Sequence, residues 1–195
     1  IDGESLLAGN SAPRRRAEMQ EKYFLYLTTE LALRILALTA DEPKAEADEK
    51  AAKAASTPVL WCAGVDTGAY QAVNCRLRRP ELFAGAIGLS GLYDMSRFMG
   101  SEADDLILRN SPLNALAETG IYNTAALAKA EENSLLLCAG QGAYEDDARA
   151  DTKALQAALE AAALPCHVEL WGNDVSHDWY WWGKELGMFA QRIFG

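Results

Sequence analysis

Histidine is the scarcest reactive side chain in this sequence, with two in 195 residues, His167 and His177. Any chemistry that needs an imidazole must use one of them. The four cysteines, Cys62, Cys75, Cys138 and Cys166, form no C-x-x-C pair and have no histidine cluster nearby, which argues against a zinc site and for buried, reduced thiols. No metal and no cofactor is therefore expected. Positive charge is also short: 18 Lys and Arg stand against 28 Asp and Glu, a net charge of -10. A phosphate-backbone binder needs the opposite balance, and the run Arg14-Arg15-Arg16 is too short to reverse it, so a nucleic acid partner is excluded. No apolar stretch reaches bilayer length and no signal-peptide pattern opens the chain, so the expectation is a cytoplasmic protein with no membrane partner. The sequence starts at Ile1, inside the loop-like Asp2-Gly3-Glu4-Ser5, and reads as a fragment or a processed chain. A G-x-G occurs at Gly140-Gln141-Gly142, but Glu145 stands where the dinucleotide fingerprint needs its last glycine.

The residues that are present describe one domain over 1–195, half of them hydrophobic and a quarter charged, as in an ordinary globular protein. Arg14 to Leu38 is predicted as a helix, with Tyr23, Leu27, Leu31 and Leu38 on one stripe. Residues 39–57, rich in Ala, Lys, Glu and Asp, read as a solvated insertion. From there short apolar runs alternate with helical segments. Strands are expected at Val59–Ala63, Ala84–Ser90, Leu135–Ala139 and Val168–Trp171, and helices at Gly68–Leu77, Asp151–Ala163 and Tyr180–Phe194. Strands without internal alternation, separated by helices, imply a mainly parallel sheet covered on both faces, an α/β protein. The irregular excursion from Gly91 to Asn133 follows a strand end, where such segments commonly shape a substrate pocket.

Gly64-Val65-Asp66-Thr67-Gly68 has the form of a nucleophile elbow, G-x-Nu-x-G, between a buried strand and a helix. The turn is so tight that Gly64 and Gly68 are expected to allow close backbone packing. Asp66 would sit in a strained conformation that aspartate tolerates better than most residues, facing the N-terminal dipole and free N–H groups of the next helix.

With the blocks Arg79-Pro80-Glu81-Leu82-Phe83, Ser90-Gly91-Leu92-Tyr93-Asp94, Asn110-Ser111-Pro112-Leu113, Gly140-Gln141-Gly142-Ala143-Tyr144-Glu145 and Trp171-Gly172-Asn173-Asp174-Val175-Ser176-His177-Asp178-Trp179, the elbow resembles, in order and spacing, the esterase D-like putative esterases of the α/β-hydrolase superfamily. The resemblance implies an α/β-hydrolase fold whose N-terminal strands are absent from the chain. It places Asp66 where the family has its serine nucleophile, Glu145 where it has the acid, His177 where it has the histidine, and the Thr67 N–H as one oxyanion donor. Asp146 and Asp147 are alternative acids, since the spacing of that loop is open by a residue or two. Asn173 replaces a histidine common in the family. The Val59 strand would also lack a neighbour, so a second segment, a second chain or a homo-oligomer is expected to cover its edge.

Asp66 cannot act as a serine, which leaves three readings. A degenerate homologue of carboxylic-ester hydrolases keeps the fold and a pocket for a small-molecule ester or acyl ligand. A hydrolase could use Asp66 as nucleophile with a His177-activated water, as other branches of this fold do. A non-catalytic binding or scaffold subunit could use the acidic surface and Trp179-Tyr180-Trp181-Trp182, although those aromatics are expected to pack on the sheet beside His177. His167 is expected to be structural, and Asp94 and Asp178 either to flank the pocket rim or to cap turns.

Overall fold

The computed structural model describes residues 12–40, 60–100, 104–118, 121–128 and 134–195. Most of the 39–57 insertion, Val59 and the opening loop lie outside them.

Four parallel strands, β1 (Leu60–Val65), β2 (Phe83–Leu89), β3 (Leu135–Ala139) and β4 (His167–Leu170), form one sheet in the order β1-β2-β3-β4. Each of the three connections between strands is a crossover, the only kind that leaves neighbours parallel. The middle strands lack alternation because both of their faces are covered. Leu135 and Leu137 of β3 join Tyr70, Val73, Leu77 and Leu155 on one face. Leu136 and Cys138 join Ile87, Leu89, Trp182 and Phe189 on the other.

Helix α1 (Pro13–Leu25), a π-helical segment (Tyr26–Leu31) and α2 (Ala32–Ala40) run without interruption. Within the widened turns Thr28 donates its hydroxyl to the Phe24 carbonyl at 2.9 Å, one of the side-chain insertions that loosen a helical ladder. The apolar stripe expected on this helix is only partly covered: Leu31 and Leu38 are exposed. Helix α3 (Thr67–Arg78) follows β1 and is buried along nearly its whole length. Helices α4 (Ser96–Met99), α5 (Asp105–Arg109), α6 (Pro112–Ala117) and α7 (Thr124–Leu127) make up the excursion after β2, α8 (Asp146–Ala161) precedes β4, and α9 (Trp179–Phe194) closes the chain.

Two sequence expectations are corrected here, the start of one helix and the packing of the aromatic run. Helix α8 begins five residues earlier than expected, because Asp146 and Asp147 suit the positive end of a helix dipole and start its first turn. The described part of the excursion packs into the layer of α1, α3 and α8 through Met95, Met99, Ile107 and Ala115. Asn110 anchors it, accepting from the Tyr70 hydroxyl at 2.7 Å and donating to Glu21 at 2.8 Å. Of the four aromatics 179–182, Trp182 is buried, whereas Trp179 and Tyr180 are exposed. At 100° per residue, a helix cannot turn four consecutive side chains toward one sheet.

Among the described residues β1 pairs with β2 alone. Its residues are half-buried or exposed, in contrast to the fully buried β3. Beside it lies a cavity of about 400 Å³, lined by Tyr23, Leu27, Leu31 and Ile35 from the long helix, by Leu60 to Ala63 of β1, and by Gly68, Ala72 and Cys75 of α3. Asp66, Glu145 and His177 do not line it.

Candidate active site

The turns at the C-terminal ends of all four strands bring the candidate residues together, the location at which open parallel sheets place their ligands. Asp66 follows β1, Ser90 follows β2, Glu145 follows β3, and His177 lies in the loop between β4 and α9.

At the elbow Asp66 has φ 52° and ψ -124°. The conformation is strained for any residue with a side chain. The Asp66 N–H donates to the Leu89 carbonyl at 3.0 Å, while its own carbonyl accepts from Ala69 at 3.0 Å. The turn brings the two glycine positions together, but only one of them needs to be glycine. A Cβ on Gly64 would lie 2.1 Å from the Gly68 carbonyl oxygen, whereas a Cβ on Gly68 would meet nothing within 4 Å. The close-packing role expected of both glycines thus belongs to Gly64. The helix does not take up the Asp66 carboxylate either. Asp66 makes no side-chain cap on α3, because the elbow dihedrals turn its side chain toward His177. Thr67 is nearly buried, and its N–H lies in the first turn of α3, outside the intrahelical ladder.

His177 stands between two carboxylates. Its Nε2 is 3.5 Å from Asp66 Oδ2 and its Nδ1 is 3.1 Å from Glu145 Oε1. The Asp66 and Glu145 carboxylates together outweigh the desolvation of the ring and raise the His177 pKa to about 9. The two other acidic residues of the loop are directed elsewhere: Asp146 pairs with Arg149 at 2.8 Å, and Asp147 faces Arg97 at 3.9 Å with its side chain exposed. Asp66 Oδ1 is buried and has no hydrogen-bond partner among the described residues.

Glu145 is 1% exposed and is held from three sides. The Ser90 hydroxyl donates to Oε1 at 2.7 Å, the Gly140 N–H donates to Oε2 at 3.2 Å, and His177 Nδ1 faces Oε1. The indole Nε1–H of Trp182 donates to Ser90 Oγ at 2.9 Å, while the same indole packs edge-on against the His177 ring, with centroids 4.8 Å apart. A backbone bond from the His177 N–H to the Ala143 carbonyl at 3.0 Å ties the two loops together. The sequence reading missed Ser90 and Trp182 as site residues. Ser90 lies in the Ser90–Asp94 segment and Trp182 in the aromatic run, but no local spacing connects either to residue 145.

A further buried acid lies close by. Glu185 on α9 is fully buried, and apart from the Cys138 thiol beside it its carboxyl has no hydrogen-bond partner among the described residues. Burial, reinforced by the Glu145 charge, pushes its pKa up to about 7. A carboxyl with a raised folded-state pKa makes its full contribution to stability below the unfolded value near 4.5, and this is lost as pH rises through 7. Glu185→Gln is therefore expected to stabilise the fold by about 2–3 kcal/mol at pH 8 and to have no effect from ionisation at pH 4. Urea unfolding at the two pH values measures the difference.

The remaining candidates have local roles. His167 opens β4 and pairs with Glu169 at 2.8 Å. Asp178 caps α9, accepting from the N–H groups of Tyr180 and Trp181 at 3.0 and 3.2 Å. Asp94 accepts from the Ser96 N–H at 3.0 Å. All four cysteines are free. No described helix is long and apolar enough to cross a membrane, and the described residues contain no cluster of three or more His, Cys, Asp or Glu arranged to hold a metal ion.

Comparison with known proteins supports the fold. No protein-family model and no curated protein matches the sequence, but solved structures do. An S-formylglutathione hydrolase from Agrobacterium tumefaciens superposes with a TM-score of 0.50 at 14% identity, covering 87% of this chain and 57% of that one. A ferulic acid esterase gives 0.49 at 22% identity, covering 68% and 50%. FphF, a fluorophosphonate-binding serine hydrolase of Staphylococcus aureus, gives 0.49 at 16%, covering 69% and 54%. The chain thus spans about half the length of these proteins. With its parallel sheet and its helices on both faces, it has an α/β-hydrolase fold.

Proposed function

We propose that the chain is a serine-lacking homologue of carboxylic-ester hydrolases, in which the nucleophile, acid and histidine positions form an ion cluster instead of an acyl-transfer triad. One observation carries this reading: His177 lies between the Asp66 and Glu145 carboxylates, which raise its pKa to about 9. At neutral pH the ring is an imidazolium with no lone pair to accept a proton, so it cannot act as the general base of ester hydrolysis. The ligand class such a homologue would retain is a small-molecule ester or acyl group, by analogy with the hydrolases it resembles. Short p-nitrophenyl esters are expected to turn over no faster with the protein than in buffer at pH 7. Turnover that disappears in Asp66→Ala would contradict the reading.

A second reading is favoured by the unpartnered Asp66 Oδ1 on its strained elbow. An Asp66 oxygen attacks an electrophilic carbon, halide or an opening epoxide oxygen departs, and an alkyl-enzyme ester forms. Esterification removes the Asp66 charge, which lowers the His177 pKa and frees Nε2 to deprotonate the water that hydrolyses the ester. Incubation with haloalkanes and epoxides followed by peptide mass analysis tests it. An adduct on Asp66 would establish this reading over the first, and its absence would eliminate it.

We also propose that a second segment, a second chain or a homo-oligomeric contact covers the outer edge of β1. The β1 edge, unpaired among the described residues, and the apolar cavity beside it are the kind of surface that recruits an additional strand. Light scattering is expected to find a species larger than this chain alone. A monomer at all concentrations would contradict it.

A further inference from the structure

We propose that Ser90, oriented by Trp182, is a positioning residue that sets the proton arrangement of the Glu145–His177 pair. The inference rests on that pair being the functional acid and histidine.

The hydrogen-bond chemistry leaves one consistent assignment. An indole N–H can only donate, so Ser90 Oγ must accept from Trp182 Nε1 at 2.9 Å. The hydroxyl proton is then directed to its other neighbour, Glu145 Oε1, at 2.7 Å. Gly140 N–H also donates, to Oε2 at 3.2 Å. A carboxyl group that receives donors on both oxygens faces the ring as an acceptor, so its contact with His177 Nδ1 at 3.1 Å requires a proton on Nδ1. That proton stays in place when the ring is neutral, so Nε2, facing Asp66, is the nitrogen that titrates. Trp182 acts twice, because its ring also packs edge-on against the imidazole it helps to orient.

The backbone at this position supports a functional role for the hydroxyl. Ser90 is buried and has φ 48°, a left-handed conformation in which glycine would be free of strain. Its N–H donates to the Cys138 carbonyl at 2.7 Å, which fixes it between the ends of β2 and β3. Glycine would meet the backbone requirement there but would leave Glu145 without its hydroxyl donor.

The test uses Ser90→Gly, which relieves the backbone, together with Trp182→Phe, which keeps a ring against His177 and deletes the indole donor. The readout is the imidazole Nδ1–H proton resonance of His177 and its exchange rate with water. In the wild-type protein this proton is expected to be protected and shifted downfield. Exchange should be roughly tenfold faster in Ser90→Gly and intermediate in Trp182→Phe, as befits the loss of a hydrogen bond to a charged acceptor. Unchanged exchange in both folded variants would overturn the role of Ser90, even if their melting temperatures fall. Absence of a protected Nδ1–H in the wild-type protein would instead refute the Glu145–His177 pair on which the inference rests.

Discussion

Gly64→Ala is expected to cost about 3–5 kcal/mol, a large share of the 5–15 kcal/mol that holds a typical domain together. The added methyl carbon would lie 2.1 Å from the Gly68 carbonyl oxygen and 2.7 Å from the Ala69 nitrogen. Both contacts are with backbone, so no side-chain rotation relieves them, and the elbow would have to open. Opening it would move Asp66 away from His177 and separate β1 from α3. Gly68→Ala is the matched control. Its Cβ would meet nothing within 4 Å, and in the first turn of α3 alanine is the better helix former, so stability should stay the same or rise by up to about 1 kcal/mol. Chemical denaturation of the two variants gives the comparison. Equal destabilisation by both would mean that the elbow is not closed as described.

The second large effect is on pH dependence. The His177 pKa is raised from 6.5 to about 9 by Asp66 and Glu145, so the folded state holds the imidazole proton more tightly than the unfolded chain. The stabilisation is fully present below pH 6.5 and is lost as pH rises through 9, with a total on the order of 3 kcal/mol. Asp66→Asn keeps the shape and removes one charge. It is expected to lower the His177 pKa by roughly one to two units and to flatten the stability curve between pH 7 and 9. Urea unfolding across this range, in the wild-type and variant proteins, measures the effect. Glu185 contributes a separate decline between pH 4.5 and 7, which Glu185→Gln removes.

The parallel sheet was largely legible in the sequence because its strands are short apolar runs divided by helices. The run at Leu135–Ala139 was bounded without error, since every residue of β3 is buried and nothing polar blurs its ends. Helix ends were harder to place. Asp146 and Asp147 look like loop residues in a one-dimensional reading, yet carboxylates in a first helical turn are favourable. The elbow was legible because two glycines flank one residue between a strand and a helix. Which glycine is sterically required was not, because that depends on which backbone atoms meet in space. Nor was the support of Glu145: Ser90 lies 55 residues before it and Trp182 is 92 residues beyond Ser90, and only the convergence of strand ends joins the three. The stripe of Tyr23, Leu27, Leu31 and Leu38 marks a helix in the sequence but not what its apolar side meets. In the structure Leu27 and Leu31 line the cavity beside β1, and Leu38 is exposed.

The central claim is that His177 is a cation held between two carboxylates at neutral pH. Its ring-proton chemical shift, followed by NMR from pH 5 to 11, tests this without a substrate. The predicted midpoint is about 9, moving down in Asp66→Asn. A midpoint at or below the ordinary value of about 6.5 would make the ring a neutral base at pH 7.5 and would contradict the ion-cluster account.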